Sequence, residues 1–263
     1  MLDGRVFSLQ RSIRMKGQFR KYARWACAAA LAAGISLSGA AGPALAAGPE
    51  DTLERAWKAF NIGQYATTLR LVQPLASEGN PRAQVMLGRC YESGLGVEQN
   101  METAAQWYTL AAEQNDVEAQ LLLAYAYQSG VGVPQDGAQA LQWMRRAADG
   151  GLPEAAFALS QYYAKGRFVE KNPQTAFEWA LKAAQGGYGQ AMLFVGACYE
   201  HGVGVNEDPA QSAQWYEKAR SVGLEPDGRI FNEVREYTLE PDDRVLNEVR
   251  EYTIPADTQG AGW

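Results

Sequence analysis

Histidine and cysteine, which often bind metals or act as nucleophiles, are scarce in this chain of 263 residues. The chain contains one histidine, His201, and three cysteines. A single histidine cannot form a zinc site without cysteine ligands. We therefore predict no metal site, and the sequence implies no cofactor.

Motifs of the common enzyme classes are also missing. There is no glycine-rich loop that ends in Lys-Ser or Lys-Thr, no G-x-S-x-G elbow and no S-x-x-K motif. Carboxylates are abundant, but no pair stands out as a catalytic acid and base. The sequence therefore predicts a protein that is not an enzyme, with a cell-wall-associated enzyme as an alternative.

Residues 1–46 have the features of a secretory signal peptide. A region with six Lys and Arg residues precedes a long uncharged stretch, and Ala44-Leu45-Ala46 is an A-x-A cleavage site. We expect translation to start at Met1 or Met15, followed by export and cleavage. An uncleaved membrane anchor is the alternative, because the uncharged stretch exceeds the roughly 20 residues that cross a bilayer.

Removal of this segment would make the chain strongly acidic. Seven of the 24 Lys and Arg residues but only one of the 30 Asp and Glu residues lie in 1–46, so the remainder carries 17 basic and 29 acidic residues, a net charge of −12. Such a surface repels phosphate backbones and anionic lipid headgroups. We expect no nucleic-acid partner, and membrane contact only through a partner or an uncleaved signal. A protein partner with a basic or apolar surface fits this charge.

The rest of the chain is dominated by a segment that occurs four times with a period of 36 residues. A fixed period of this size indicates stacked supersecondary units. Several sets of positions match between the copies: Ala83, Ala119, Ala155 and Ala191; Leu87, Leu123, Leu159 and Val195; Tyr91, Tyr127, Tyr163 and Tyr199; Gly94, Gly130, Gly166 and Gly202; Trp107, Trp143, Trp179 and Trp215.

Each copy predicts two helices. In the first, small and apolar residues recur at helical spacing, and a glycine such as Gly94 follows where a left-handed residue ends a helix. The second helix buries the Trp position and begins after a residue that can cap its free N–H groups. The capping positions are Asn100, Asp136, Asn172 and Asp208.

This pattern resembles the Sel1-like repeats of the tetratricopeptide clan. The resemblance is carried by the A-x3-LG-x2-Y-x2-G-x-GV-x2-[DN]-x6-W-x3-AA positions of residues 82–223. It implies an all-α, right-handed superhelical α-solenoid of helix-turn-helix repeats. It also implies adaptor work, such as holding an envelope complex together or restraining a membrane sensor.

Less regular segments flank the four repeats. Residues 47–81 predict an atypical, tetratricopeptide-like first pair with helices over 51–61 and 64–75, since terminal repeats meet water on one face. Residues 224–253 hold two nearly identical 15-residue copies with an amphipathic helical pattern. These copies either cap the open end or dock in a partner. Residues 254–263 predict a disordered tail.

The two cysteines beyond the signal segment, Cys90 and Cys198, occupy the same repeat position three copies apart. Packed helices lie about 8–10 Å apart. Three helix pairs would therefore separate the cysteines far beyond the ~7 Å between Cα atoms that a disulfide tolerates. We expect two buried thiols.

Partner-binding residues should lie where the copies differ. First-helix positions spaced i, i+4, i+7 share one helix face, and first helices line the concave surface of related tetratricopeptide solenoids. We expect a groove there that binds a peptide or a helix. The alternative is a face that contacts only solvent or packs against the neighbouring unit. The groove residues are Arg89, Tyr125, Phe157 and Gln161.

A second candidate is the loop of the third copy, where Phe168 follows Arg167 and replaces a glycine of the other copies. The lost glycine predicts a changed turn and an exposed aromatic ring beside a cation. Arg and aromatic residues are frequent energetic anchors of interfaces. The alternative is a tolerated variant whose ring covers the core.

These features predict a non-catalytic protein-interaction scaffold of the bacterial cell envelope, periplasmic or secreted. Recognition of a glycan or a host receptor through exposed aromatic residues is a further alternative.

Overall fold

A computed structural model describes residues 48–226 of the chain. The signal peptide predicted for 1–46 lies outside the described residues. So do the disordered tail predicted for 254–263 and all but the first three residues of the duplicated segment at 224–253. The helical pattern of that duplication stays a prediction.

The described residues form helices of 13 residues each, and they contain no strand. The helices are α1 Pro49–Asn61, α2 Tyr65–Ser77, α3 Pro81–Ser93, α4 Met101–Glu113, α5 Val117–Ser129, α6 Gly137–Asp149, α7 Pro153–Lys165, α8 Pro173–Gln185, α9 Gly189–His201 and α10 Pro209–Ser221. Each 36-residue repeat contains one pair of helices, and α1 and α2 form a further pair before the first repeat. This confirms the all-α class of stacked helix pairs.

The chain divides into two compact units at residue 136. In unit one, residues 48–136, α2 packs against α1 and α3, and α4 packs against α3 and α5. In unit two, residues 137–226, α7 packs against α6 and α8, and α9 packs against α8 and α10. Within each unit, every helix thus packs against the helices that precede and follow it in the chain.

The helix ends follow the capping chemistry that the sequence predicts. Each first helix of the four repeats ends at a glycine in the left-handed conformation, such as Gly94 with φ 67°. The Oδ1 atoms of Asn100, Asn172 and Asp208 accept hydrogen bonds from N–H groups in the first turn of the following helix. These bonds satisfy N–H groups that no carbonyl within the helix can reach.

The helix pairs are joined by a turn that recurs along the chain. The N–H of Asn80 donates to the carbonyl of Leu75 at 2.9 Å. Equivalent bonds of 3.0–3.2 Å run from Asp116 to Ala111, from Leu152 to Ala147, from Tyr188 to Ala183 and from Leu224 to Ala219. The last bond follows α10, so the chain leaves the fourth repeat in the same turn.

The repeated small and aromatic positions form the core of each unit. Ala111, Ala147, Ala183 and Ala219 have no exposed surface. Trp107, Trp143 and Trp215 are also buried, which confirms that these positions pack between helices. Trp179 is half-buried, with the Lys182 ammonium 4.6 Å from its ring centroid.

Cys90 and Cys198 are buried free thiols, as the sequence predicts. Burial penalises the thiolate. It therefore raises the pKa of Cys90 to about 11 and also raises the pKa of Cys198. Both thiols act as small core residues rather than nucleophiles.

Candidate partner-binding surfaces

The first helices of three successive pairs, α1, α3 and α5, line a groove in unit one with a volume of about 650 Å³. Its floor is apolar and nearly closed to solvent, with Leu53, Val85 and Met86 each 5–7 % exposed. Trp57 lines the same groove but is 47 % exposed. The groove therefore combines a packed floor with one large aromatic side chain that is open to a ligand.

Five carboxylates and two guanidinium groups surround this floor. Arg82 Nη1 lies 3.4 Å from Glu50 Oε2, and Arg89 Nη2 donates to Glu118 Oε1. Both arginine charges are thus already paired, and the rim keeps an excess of negative charge. Opposite charge on a partner would complement this rim.

Two rim carboxylates also have roles within the fold. Asp116 Oδ1 accepts the N–H of Ala119 at 2.9 Å and caps α5. Glu54 accepts a hydrogen bond from Lys58 Nζ at 2.6 Å, which holds the pKa of Glu54 below its ordinary value. Both side chains are acceptors for N–H groups of the protein itself.

The structure places Arg89 in this groove. Its side chain is half-buried, and its Nε atom is buried without a hydrogen-bond partner among residues 48–226. The ion pair with Glu118 connects α3 to α5 across the groove. Partner binding by Arg89 stays a prediction.

Tyr125 lines a different and smaller cavity of unit one, about 240 Å³, between α4 and α5. Its side chain is 37 % exposed. The same cavity contains Tyr108, whose hydroxyl donates to Glu92 Oε2 at 2.8 Å. Burial and the neighbouring Glu92 carboxylate raise the pKa of Tyr108. The structure therefore does not bring Arg89 and Tyr125 into one cavity.

In unit two, Phe157 packs inside the fold. It is 8 % exposed, and its ring centroid lies 5.3 Å from that of Tyr188 and 5.8 Å from that of Phe194. Phe157 thus packs against the neighbouring helix pair instead of lining an open groove. Gln161 lies on the same helix, α7, and is half-buried.

The loop after α7 keeps its turn despite the lost glycine, so the predicted change of turn is wrong. Phe168 has φ 62°, close to the 71–75° of Gly96, Gly132 and Gly204 at the same position. The left-handed conformation is costly for a residue with a Cβ atom. Contacts of the aromatic side chain can offset this cost.

These contacts involve two other departures from the repeat pattern. The Phe168 ring lies edge-on to Tyr162, with centroids 5.7 Å apart, where the other repeats have Cys or Ala. A Cβ atom on Gly137, where the other repeats have Met or Pro, would lie 2.1 Å from Phe168 Cδ1. The ring thus fills space that Gly137 leaves open.

Part of the ring still faces solvent. Phe168 is 39 % exposed, and the Arg167 guanidinium lies 5.1 Å from its ring centroid. The expected exposed aromatic residue beside a cation is present, and the same ring also covers part of the core. Partner binding by Arg167 and Phe168 stays a prediction.

Trp57 is not among the residues that the sequence predicted for partner binding. The helices α1 and α3 both begin with a proline, Pro49 and Pro81, and can be aligned on these residues. Both helices have 13 residues, and Trp57 then occupies the position of Arg89. Tyr125 occupies this position in α5, so this comparison could have identified Trp57.

Among residues 48–226 there is neither a cluster of metal-ligating side chains nor a helix suited to span a membrane. His201 is exposed at the end of α9, whereas Cys198, three residues earlier, is buried. No group of three or more His, Cys, Asp or Glu side chains suited to a metal ion occurs between residues 48 and 226. Within that range, no helix has the length and apolar character to cross a membrane.

Comparison with protein-family models identifies four consecutive matches to the Sel1 repeat, at residues 81–116, 117–152, 153–188 and 189–223. These boundaries coincide with the helix pairs α3–α4 through α9–α10. No curated protein sequence matches the chain.

Two solved structures are similar in sequence and fold. A Sel1 repeat protein from Oxalobacter formigenes is 26 % identical with a TM-score of 0.59, and the match covers 76 % of this chain and 90 % of that one. The protein c5321, a protective antigen of uropathogenic Escherichia coli strains with an SLR fold, is 28 % identical with a TM-score of 0.63. That match covers 67 % of this chain but 38 % of c5321.

The repeat matches cover more than half of the sequence and fall on the helix pairs of the structure. Sel1 repeats are generally modules of protein–protein interaction. The chain therefore belongs to the Sel1 repeat family of all-α repeat solenoids.

Proposed function

We propose that the chain is a non-catalytic, protein-binding scaffold exported to the bacterial cell envelope. In this role it would hold an envelope complex together or restrain a membrane sensor. The supporting observation is the groove between α1, α3 and α5, which presents an exposed tryptophan above an apolar floor within an interaction-module fold. Such a surface suits a peptide or a helix of a partner protein.

Export is supported by the signal-like pattern of residues 1–46. The test is N-terminal sequencing of the protein recovered from the envelope fraction. A sequence that starts at Ala47 is expected. A protein that retains the basic region would refute cleavage.

Partner binding is tested by photo-crosslinking in living cells. Probes replace Arg89 and Tyr125, one in each of the two cavities described above, and a control probe replaces Arg70, which is exposed on α2 and lines neither cavity. A discrete protein adduct from Arg89 or Tyr125 but not from Arg70 supports the scaffold and gives the partner's mass. The absence of an adduct from both cavities, at normal protein levels, would refute partner binding through unit one.

Glycan recognition is the second candidate, because the aromatic residues Trp57 and Phe168 are 47 % and 39 % exposed. Aromatic faces of this kind can stack on sugar rings. Labelling of cell-wall material instead of a protein in the crosslinking experiment would favour this function. Saturable binding of the purified chain to isolated wall polysaccharide would then be expected.

A further inference from the structure

We propose that the groove between α1, α3 and α5 binds a segment of a partner protein whose apolar side chains are flanked by Lys or Arg. The inference rests on the proposed scaffold function, because it specifies the chemistry of the partner. Three features of the groove carry it: the exposed tryptophan, the apolar floor and the charges of the rim.

Trp57 supplies the anchor. Its ring is stacked on Phe60 with centroids 5.7 Å apart and planes within 2° of parallel. This stacking restricts the orientation of the indole, while 47 % of the residue stays exposed. Tryptophan is enriched among the residues that dominate interface energies, since it buries a large area with few rotatable bonds. An apolar side chain of the partner would cover its open surface.

The floor sets the size of what enters. Leu53, Val85 and Met86 line the groove with almost no surface of their own exposed. A volume of about 650 Å³ holds a few side chains rather than a folded domain. The groove is thus suited to a short segment with apolar residues on one side.

The rim selects the charge of that segment. Arg82 and Arg89 are each paired with a glutamate of the groove. Asp51 also lines the groove, and its carboxylate makes no side-chain hydrogen bond or ion pair within residues 48–226. A Lys or Arg of the partner can therefore pair with Asp51 without displacing a pair within the fold. An acidic segment would meet like charges and be rejected.

The test measures binding of synthetic peptides to the intact chain by fluorescence anisotropy. The probe is a labelled helical peptide of about 14 residues, roughly four turns, with Leu on one face and Lys on the other. Two control peptides carry Glu in place of Lys, or Ser in place of Leu. We expect the Leu/Lys peptide to bind at least about tenfold more tightly than either control, and its affinity to fall as salt rises.

Variants then assign the binding to the groove. Trp57→Ala should weaken binding about tenfold or more, and Trp57→Phe should restore part of the affinity. Asp51→Asn should weaken binding severalfold and reduce its salt dependence. Glu178→Gln, a matched neutralisation at an exposed glutamate of α8 in unit two, should change neither. Circular dichroism melting of each variant reports whether the fold is intact.

Equal binding of the Lys and Glu peptides would refute the inference, and so would full binding by a folded Trp57→Ala variant. Failure of the inference is distinguishable from failure of the scaffold function. A partner crosslinked at Arg89 that binds through an acidic segment would leave the scaffold in place and overturn the proposed chemistry.

Discussion

Replacing Gly137 with alanine tests how the loop after α7 accommodates Phe168. The new Cβ atom would lie 2.1 Å from Phe168 Cδ1, so the ring must move away from its edge-on contact with Tyr162. Forcing extra volume into a packed site typically costs about 1–3 kcal/mol. Alanine in place of glycine in a helix otherwise gains up to about 1 kcal/mol. We expect a net loss of about 1–2 kcal/mol in the free energy of unfolding.

The sign should reverse when the ring is absent. Phe168→Gly restores the residue of the other repeats and removes the atoms that the new Cβ atom meets. In that background, Gly137→Ala should be neutral or stabilising, by up to about 1 kcal/mol. The coupling between the two sites is then roughly 2 kcal/mol, within the range measured for residues in contact.

The assay is urea unfolding of the intact chain and of the three variants, followed by circular dichroism. The double-mutant cycle removes the separate effects of each substitution, including the left-handed strain that Phe168→Gly relieves. Equal changes in the free energy of unfolding for Gly137→Ala in both backgrounds would refute the claim that Phe168 occupies the space left by Gly137.

Three further predictions concern the stability of unit one. Gly132→Ala should lower the free energy of unfolding by more than about 2 kcal/mol, because its Cβ atom would lie 2.2 Å from a backbone carbonyl oxygen at φ 74°. Gly63→Ala, with φ 77° and no atom within 4 Å of the new Cβ, should cost only the backbone strain of about 1–2 kcal/mol. An equal loss for both variants in urea unfolding would contradict the clash with the carbonyl oxygen near Gly132. Burial raises the pKa of Cys90 to about 11, so its thiol ionises first in the unfolded chain. The stability that the neutral Cys90 thiol contributes is therefore intact below pH 9 and lost as pH rises toward 11. Unfolding at pH 8 and pH 10 should show a smaller loss of stability in Cys90→Ala than in the unmodified chain, and an unchanged pH dependence would contradict this assignment. Asn100→Ala should cost about 1 kcal/mol through the lost cap of α4, whereas Asn206→Ala in an exposed loop should leave the melting temperature unchanged; equal shifts for both would exclude capping.

The fold was predictable because each repeat carries its own local signals. Capping side chains, left-handed glycines and the periodic Trp and Ala positions act within one helix pair, so their effects can be read without knowledge of the neighbours. Even the atypical first pair was predicted to within two residues at each end, with helices at Pro49–Asn61 and Tyr65–Ser77. The predicted capping bonds of Asn100 and Asn172 also form.

The binding surface was less predictable because exposure depends on what the next helix pair places against a residue. Tyr125 and Phe157 both belong to the predicted helix face, yet Tyr125 is 37 % exposed and Phe157 is 8 % exposed. Phe157 is covered by Tyr188 and Phe194, which lie more than 30 residues further along the chain. Trp57 was not among the predicted binding residues, because the atypical first pair was not aligned with the first helices of the repeats. The helix bounds supply that alignment, in which Trp57 occupies the position of Arg89.

The turn that joins successive helix pairs has a consequence for how the array could grow. The bond from the Leu224 N–H to the Ala219 carbonyl, 3.0 Å, reproduces the bond that precedes α3, α5, α7 and α9. A duplicated repeat inserted after residue 223 would therefore begin from the backbone geometry that its own first helix already requires. Duplication of a 36-residue stretch of the gene would create a chemically compatible junction. The number of repeats can thus change by unequal recombination without a new connecting turn having to evolve.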